Sequence, residues 1–256
     1  MLQIARRMLR PRQSMSVEWG NRSPGVILLS SGEQTRWHGV GRKQLAPVDG
    51  EPVLLRTLRQ VKQYIGTQPI VVTQCDELAA AVAGHAEVLA LPSGQRRWAA
   101  ETALHSRAAW GDPTWILLAD VYWTDGAIKR IMGVPVSDPP QYFISTGYKT
   151  SEKVLGFWRR RRARRFGDKR WDEILGLWFR GHHRDLMADC FHHAVIDAQR
   201  GGRGKLWESY RSLCGFPLRR HCLESRHRID VVDGSMDFDT VDEYFEFLAK
   251  RKRLAA

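Results

Sequence analysis

Long apolar runs are missing from this sequence. No stretch of its 256 residues approaches the roughly 20 consecutive apolar residues a membrane-spanning helix needs, which excludes an integral helical membrane protein. Cysteine is scarce as well. The four thiols, Cys75, Cys190, Cys214 and Cys222, form no C-x-x-C pair, so a zinc ribbon or dithiol redox motif has no support. Cys214, His221, Cys222 and His227 fall close together but at no standard ligand spacing, and buried thiols with surface imidazoles account for them. Reduced thiols and a cytoplasmic location are therefore expected. No Gly-Lys-Ser/Thr follows a glycine-rich turn, which excludes a Walker-type loop. Internal repeats are absent, and the only low-complexity tract is a run of arginines. Residues 1–23 carry Arg6, Arg7, Arg10, Arg12 and Arg22 without the apolar centre of a secretory signal. They are expected to be a flexible basic leader, with Met15 an alternative start and a transit peptide the rival reading.

What is present suits one sizeable globular domain, or a domain with a lobe: 43% of residues are hydrophobic and 27% charged, enough for a core without staples. The formal charge of +12 raises the prospect of a nucleic-acid partner. Much of the excess is local. Six arginines lie between Arg159 and Arg165, Lys169 and Arg170 follow, and Trp158, Phe166 and Trp171 interleave with them, as stacking side chains do in nucleic-acid grooves. A solvated face that meets an anionic substrate or a partner accounts for the same residues, since charge alone licenses only non-specific attraction.

Along the chain, residues 24–31 read as a first buried strand. Leu54, Leu55, Leu58, Val61 and Ile65 mark one face of a helix. Pro69–Thr73 reads as a second strand, and Asp76 can cap an alanine-rich helix, Glu77 to Ala83. Glu87–Leu91 is a third strand, Arg97–Ala109 a helix, and Thr114–Ala119 a fourth strand ending on Asp120. Gln141–Thr146 is a further strand. Strands alternating with helices at these intervals imply an α/β fold with a mainly parallel sheet and right-handed crossovers. Between Gly156 and Arg228 the composition turns to Arg, Trp and His with helical periodicity, as in Trp171–Trp178 and Asp185–Phe191, and Gly201, Gly202 and Gly204 mark a break. The expected organisation is a leader at 1–23, a nucleotide-binding α/β core at 24–155, a helical, arginine-rich insertion at 156–228, and a return to the core at 229–256. The return runs through Arg228–Val232 and Met236–Thr240, and a last helix starts near Val241.

The most informative segment is Val26-Ile-Leu-Leu-Ser-Ser-Gly-Glu-Gln-Thr-Arg-Trp37, followed by Arg42-Lys-Gln-Leu-Ala-Pro-Val48. A buried strand breaks at a small-residue turn, Ser30, Ser31 and Gly32, and delivers Thr35, Arg36 and Lys43 beyond its end. Small residues let backbone N–H groups approach an anion, and the two cations supply charge for phosphates. The segment resembles the signature of nucleotidyltransferases with the nucleotide-diphospho-sugar transferase fold, L-A-[AG]-G-x-G-[TS]-R-[ML] followed by [PR]-K-x-L. That family includes sugar-phosphate nucleotidylyltransferases and the molybdenum-cofactor guanylyltransferase. The resemblance covers residues 24–125 and 229–248, and implies a Rossmann-like three-layer α/β/α domain. The chain departs from the signature at Ser30-Ser31, at Gln34 in place of a common glycine, and at Trp37.

Asp120 directly follows the apolar run Trp115–Ala119, and ligands of open parallel sheets bind outside the carboxyl ends of strands. A capping or turn aspartate fits the same position. In the family an aspartate here coordinates Mg²⁺. Asp237-Phe-Asp-Thr-Val-Asp-Glu-Tyr244 resembles the family's D-[IF]-D-T segment, whose second acidic residue, matching Asp239, commonly completes the metal site. Asp237 is the substitute, because strand alternation sends only one of the two into the crevice. Asp239 and Thr240 also fit a helix start. Pro92–Leu104 resembles the stretch that holds base and triphosphate, with Gly94 and Arg97 at matching places and Ala100 where serine is usual.

The family implies Mg²⁺ on hard carboxylate oxygens, with Arg36, Lys43 and Asp120 catalytic and Ser30, Ser31, Gly32, Thr35, Gly94 and Arg97 on the nucleotide. A nucleoside triphosphate would pass its nucleoside monophosphate to a small phosphorylated acceptor, such as a sugar 1-phosphate, and release pyrophosphate. One rival is a glycosyltransferase of the same fold using a nucleotide sugar, which predicts a D-x-D that Asp120-Val-Tyr does not supply. The other is a non-catalytic nucleic-acid-binding protein that uses the arginine-tryptophan segment.

Overall fold

A computed structural model describes residues 23–31, 37, 41–93, 98–133, 139–148, 170–218, 227–231 and 235–255. The strands are β1 (Gly25–Leu29), β2 (Pro47–Val48), β3 (Glu51–Pro52), β4 (Ile70–Thr73), β5 (Glu87–Ala90), β6 (Thr114–Leu118), β7 (Val121–Tyr122), β8 (Gln141–Tyr148), β9 (Arg170–Phe179), β10 (Arg228–Val231) and β11 (Met236–Asp237). The α-helices are α1 (Val53–Ile65), α2 (Asp76–Ala81), α3 (Ala99–His105), α4 (Asp125–Met132), α5 (Arg184–Gln199), α6 (Leu206–Leu213) and α7 (Val241–Ala255). None of the described helices is long and apolar enough to cross a membrane.

The main sheet runs β10-β8-β9-β6-β1-β4-β5. All neighbours are parallel except β9, which pairs antiparallel with both β8 and β6. The expected α/β architecture with a mainly parallel sheet is what the chain adopts. Alternation along β1 divides the interior into two layers. Val26 and Leu28 face α1 and α4, where Leu54, Leu58, Val61, Ile128 and Ile131 are buried. Ile27 and Leu29 face α3, α5 and α6, where Ala100, Ala103, Met187, Phe191, Leu206 and Tyr210 are buried. A strand buried on both faces must be apolar throughout, which is why β1 reads as a continuous run. A third, smaller cluster of Trp37, Val48, Val53, Tyr122, Phe238 and Tyr244 lies under α7.

One reading needs correction. Trp171–Trp178, expected to be helical, belongs to β9 at the centre of the sheet. Trp171, Ile174, Leu175 and Trp178 do repeat at helical spacing. Yet Ile174 to Phe179 are all buried, because layers cover both faces of a central strand, and periodicity then cannot separate strand from helix. Gly176 lets β9 approach β6: a Cβ there would stand 2.6 Å from the Ile116 carbonyl oxygen. Beside it the register slips, with Phe143 opposite Gly176 but Ile144 opposite Ile174, so Leu175 is the extra residue of a bulge. Residues 184–199 and 206–213 are helical as expected, joined by the glycine-rich turn. The leader through residue 22 and the arginine run between Arg159 and Arg165 lie outside the described residues.

Candidate functional site

Both strand ends named by the sequence meet at one edge of the sheet. β1 is paired with β6 in parallel register, Leu29 opposite Leu118, and the Ala119 amide donates to the Leu29 carbonyl at 3.1 Å. Asp120 is therefore set just past the carboxyl ends of both strands, the place where open α/β sheets bind ligands. The chain continues from Asp120 into β7, whose antiparallel partner is β11. Asp237 sits opposite Val121 and Met236 opposite Tyr122. This short ladder brings Asp237 beside Asp120 across more than a hundred residues of sequence.

Lys43, on a single 3-10 turn at Lys43–Leu45, reaches between the two carboxylates. Its Nζ contacts Asp120 Oδ2 and donates to Asp237 Oδ1 at 3.1 Å. The three side chains are 14%, 19% and 12% exposed respectively, so water reaches them without flooding them. Burial disfavours the ammonium, but Asp120 and then Asp237 outweigh it and hold Lys43 above the ordinary lysine range. Asp237 moves the other way from a normal carboxylate. Burial, and then the charge of Asp120, push it up to about 8, with Lys43 opposing and Glu173 and Asp239 adding repulsion.

The donor set fits a hard divalent cation. Oxygens of Asp120 and Asp237 already converge on one cationic group, the Lys43 ammonium, which stands in for such an ion. Among the described residues no three His, Cys, Asp or Glu side chains gather to hold a metal unaided. Two carboxylates, leaving room for waters and phosphate oxygens, suit Mg²⁺ better than an ion that demands an all-protein cage.

The β1 turn forms the second wall. Ser30 and Ser31 are buried. The Ser30 carbonyl accepts from Thr73 Oγ1 at 3.2 Å and the Ser31 carbonyl from Gln74 Nε2 at 3.1 Å, while Ser31 Oγ meets Thr102 Oγ1. Farther along the chain, Trp37 is buried against Tyr244, and its Nε1 donates to the Phe238 carbonyl at 3.1 Å. The departure from the signature at Trp37 thus anchors the segment to the residue next to Asp237.

Of the expected site residues, the structure brings together Lys43, Asp120 and Asp237, with Ser30 and Ser31 at the neighbouring strand end. Asp239 lies two residues before α7 and helps cap it: its amide donates to Glu243 Oε2 at 2.9 Å, and Glu243 donates its own amide to Thr240 Oγ1 at 3.2 Å. Gly32, Thr35, Arg36, Gly94 and Arg97 lie outside the described residues. Three contributors went unread in the sequence. Gln74 follows β4 as Asp120 follows β6, and the same strand-end rule would have found it. Thr102 carried no signal beyond its helix. Glu173 was hidden because its strand reads as a helix.

No family model matches the sequence, and no curated protein matches it. Solved structures do. The CTP:phosphocholine cytidylyltransferase LicC of Streptococcus pneumoniae superposes with a TM-score of 0.58 at 10% identity, covering 90% of this chain and 100% of its own. A UDP-glucose pyrophosphorylase, solved with UDP-glucose, gives 0.57 at 9% identity over 91% and 99%. Rv0371c of Mycobacterium tuberculosis gives 0.54 at 18% identity over 89% and 98%. The chain shares the fold of these three structures, the nucleotide-diphospho-sugar transferase fold.

Proposed function

We infer that this protein is a Mg²⁺-dependent nucleotidyltransferase that moves a nucleoside monophosphate from a nucleoside triphosphate to a small phosphorylated acceptor. The observation that carries the reading is Lys43 held between Asp120 and Asp237 at the carboxyl ends of β1 and β6. A cation set between two carboxylates, beside a small-residue turn, is an arrangement for a polyphosphate and its metal.

Asp120 and Asp237 would hold the Mg²⁺. When bound, that ion supplies charge neutralisation on the phosphates and fixes their orientation. Lys43 offers its ammonium to phosphate oxygens that gain charge as the bond to the leaving group breaks, a preorganised electrostatic contribution. Arg36 is assigned the same task from its place in the turn. Ser30 would offer its hydroxyl and Ser31 its backbone amide to the triphosphate, and Gly32, Thr35, Gly94 and Arg97 are assigned to it by their places in the sequence. An oxygen of the acceptor phosphate forms the new bond to the α-phosphorus. The bond from that phosphorus to the bridging oxygen breaks, and pyrophosphate leaves with the electron pair. The acceptor is already anionic, so no protein nucleophile is needed, and positioning supplies much of the rate. A sugar 1-phosphate or a similar phosphomonoester is the proposed acceptor.

The test is pyrophosphate release from ATP, CTP, GTP and UTP with Mg²⁺ and a panel of sugar, polyol and aminoalcohol phosphates. Release that depends on an acceptor and vanishes in Asp120→Ala is the expected result. Acceptor-dependent release at full rate in Asp120→Ala refutes the assignment of the site.

A further inference from the structure

The nucleotide wall of the crevice is tied to the α5–α6 helices by a path that the chemistry above does not use. At the start of α3 the Ala100 amide has no partner within its own helix. Gly204, in the turn between α5 and α6, supplies its carbonyl at 3.1 Å. Gly204 has φ +58°, and a Cβ there would stand 2.6 Å from Trp98 Cγ and 2.7 Å from Trp98 Cβ. The indole of Trp98 fills the space that any side chain at 204 would need.

The Trp98 carbonyl then accepts from the amide of Thr102 at 2.9 Å and from its hydroxyl at 3.0 Å. A threonine hydroxyl has one proton to give. With that proton directed at Trp98, Thr102 Oγ1 can meet Ser31 Oγ only as the acceptor, so Ser31 is the donor. Ser31 and Thr102 are both buried, where a lost hydrogen bond is not replaced by water. The path therefore runs from the Gly204 turn through Trp98 and Thr102 to the turn that ends β1, and the direction of each hydrogen bond is fixed.

We propose that Trp98 and Thr102 are positioning residues that lock the β1 turn, through Ser31, to the Gly204 turn of the α5–α6 pair. The inference rests on the nucleotide-binding reading of the β1 turn. Its consequence is mechanical. The α5–α6 pair sets the shape of the wall that receives the nucleotide, and breaking the path weakens nucleotide binding without touching Lys43, Asp120 or Asp237.

The experiment uses the full chain with Thr102→Val, Thr102→Ser and Gly204→Ala. Amide hydrogen exchange is read without ligand on the peptide carrying Val26–Ser31. Nucleoside triphosphate affinity is read by calorimetry with Mg²⁺, together with KM for each substrate. Thr102→Val keeps the side-chain shape and removes the hydroxyl. It should speed exchange at the β1 turn and raise the nucleotide Kd and KM by about fivefold to tenfold, the worth of one buried hydrogen bond. KM for the acceptor should not move, and Thr102→Ser should restore the wild-type values. Gly204→Ala should speed exchange at the same peptide although its new methyl touches Trp98 and not the β1 turn. Unchanged exchange there in both Thr102→Val and Gly204→Ala, with nucleotide bound as in the wild type, overturns the lock alone. An increase spread evenly over the whole sheet overturns it too, because that is general destabilisation. A wild type that binds no nucleotide overturns the nucleotide reading instead, and the exchange result still decides whether the lock exists.

Discussion

Replacing Lys43 with methionine keeps an unbranched stem one atom shorter and deletes the charge. Near neutral pH the site balances one ammonium against the Asp120 carboxylate, while Asp237, pushed up to about 8, mostly retains its proton. Removing Lys43 leaves two carboxyl groups sharing one proton and a negative charge with no partner. At an effective dielectric near 20, two unit charges about 4 Å apart attract by about 4 kcal/mol, and the Lys43–Asp120 contact is at least that close, but most of the attraction is offset by the cost of desolvating both ions. Breaking one side of a well-buried pair costs about 3–5 kcal/mol. Exposures of 12–19% admit some water and place the expected loss just below that range, about 2–3 kcal/mol. Urea unfolding without Mg²⁺ reads it directly. Asp120→Asn in the Lys43→Met background should cost far less than the two separate losses together, giving a coupling of about 2 kcal/mol in a double-mutant cycle. Added Mg²⁺ should stabilise Lys43→Met more than the wild type, since a divalent ion supplies the positive charge that Lys43 no longer does. A coupling below about 0.5 kcal/mol, within the error of additivity, would refute the argument that Lys43 is the cation balancing Asp120.

The two candidate second carboxylates separate by substitution: Asp237→Asn should weaken Mg²⁺ affinity at least about tenfold, whereas Asp239→Asn, in the turn that caps α7, should change it less than about twofold, as read by calorimetry. Asp237 also sets a pH dependence. Its folded pKa is raised above the unfolded value of 3.8, so its contribution to stability is fully present below that value and is lost as pH rises through about 8. Unfolding without Mg²⁺ should therefore become easier between about pH 5 and pH 8 and change little above that, and Mg²⁺, which needs the ionised carboxylate, should bind more tightly at pH 9 than at pH 7. Rising stability between about pH 5 and pH 8 would contradict the assignment. Gly176→Ala should destabilise the protein by about 1–3 kcal/mol through overpacking against the β6 backbone, measured as a lower urea midpoint at unchanged slope.

Much of this protein is legible in one dimension. Val26–Leu29 and Thr114–Leu118 are apolar because layers cover both of their faces, and a residue directly after such a run falls at the carboxyl edge of a parallel sheet. Ser30, Ser31 and Asp120 could be placed by that rule alone, and Lys43 by its distance from the turn. The helix at Val53–Ile65 followed from one face of five apolar residues. Local chemistry determines these features, so local sequence carries them.

The rest required contacts that sequence does not encode locally. β9 repeats its apolar residues as a helix would, and only the space between β8 and β6 makes it a strand. That same strand carries Glu173 toward Asp237. Between Asp237 and Asp239 strand alternation offered two answers, and the register of β11 against β7, Asp237 opposite Val121, selected one neighbour for Lys43. Thr102 joined the nucleotide wall only because α3 packs against the end of β1. In each case the deciding interaction spans tens to hundreds of residues. Burial on two faces, antiparallel register and helix docking are properties of the folded neighbours and not of the segment itself, which is why tertiary structure alone could settle them.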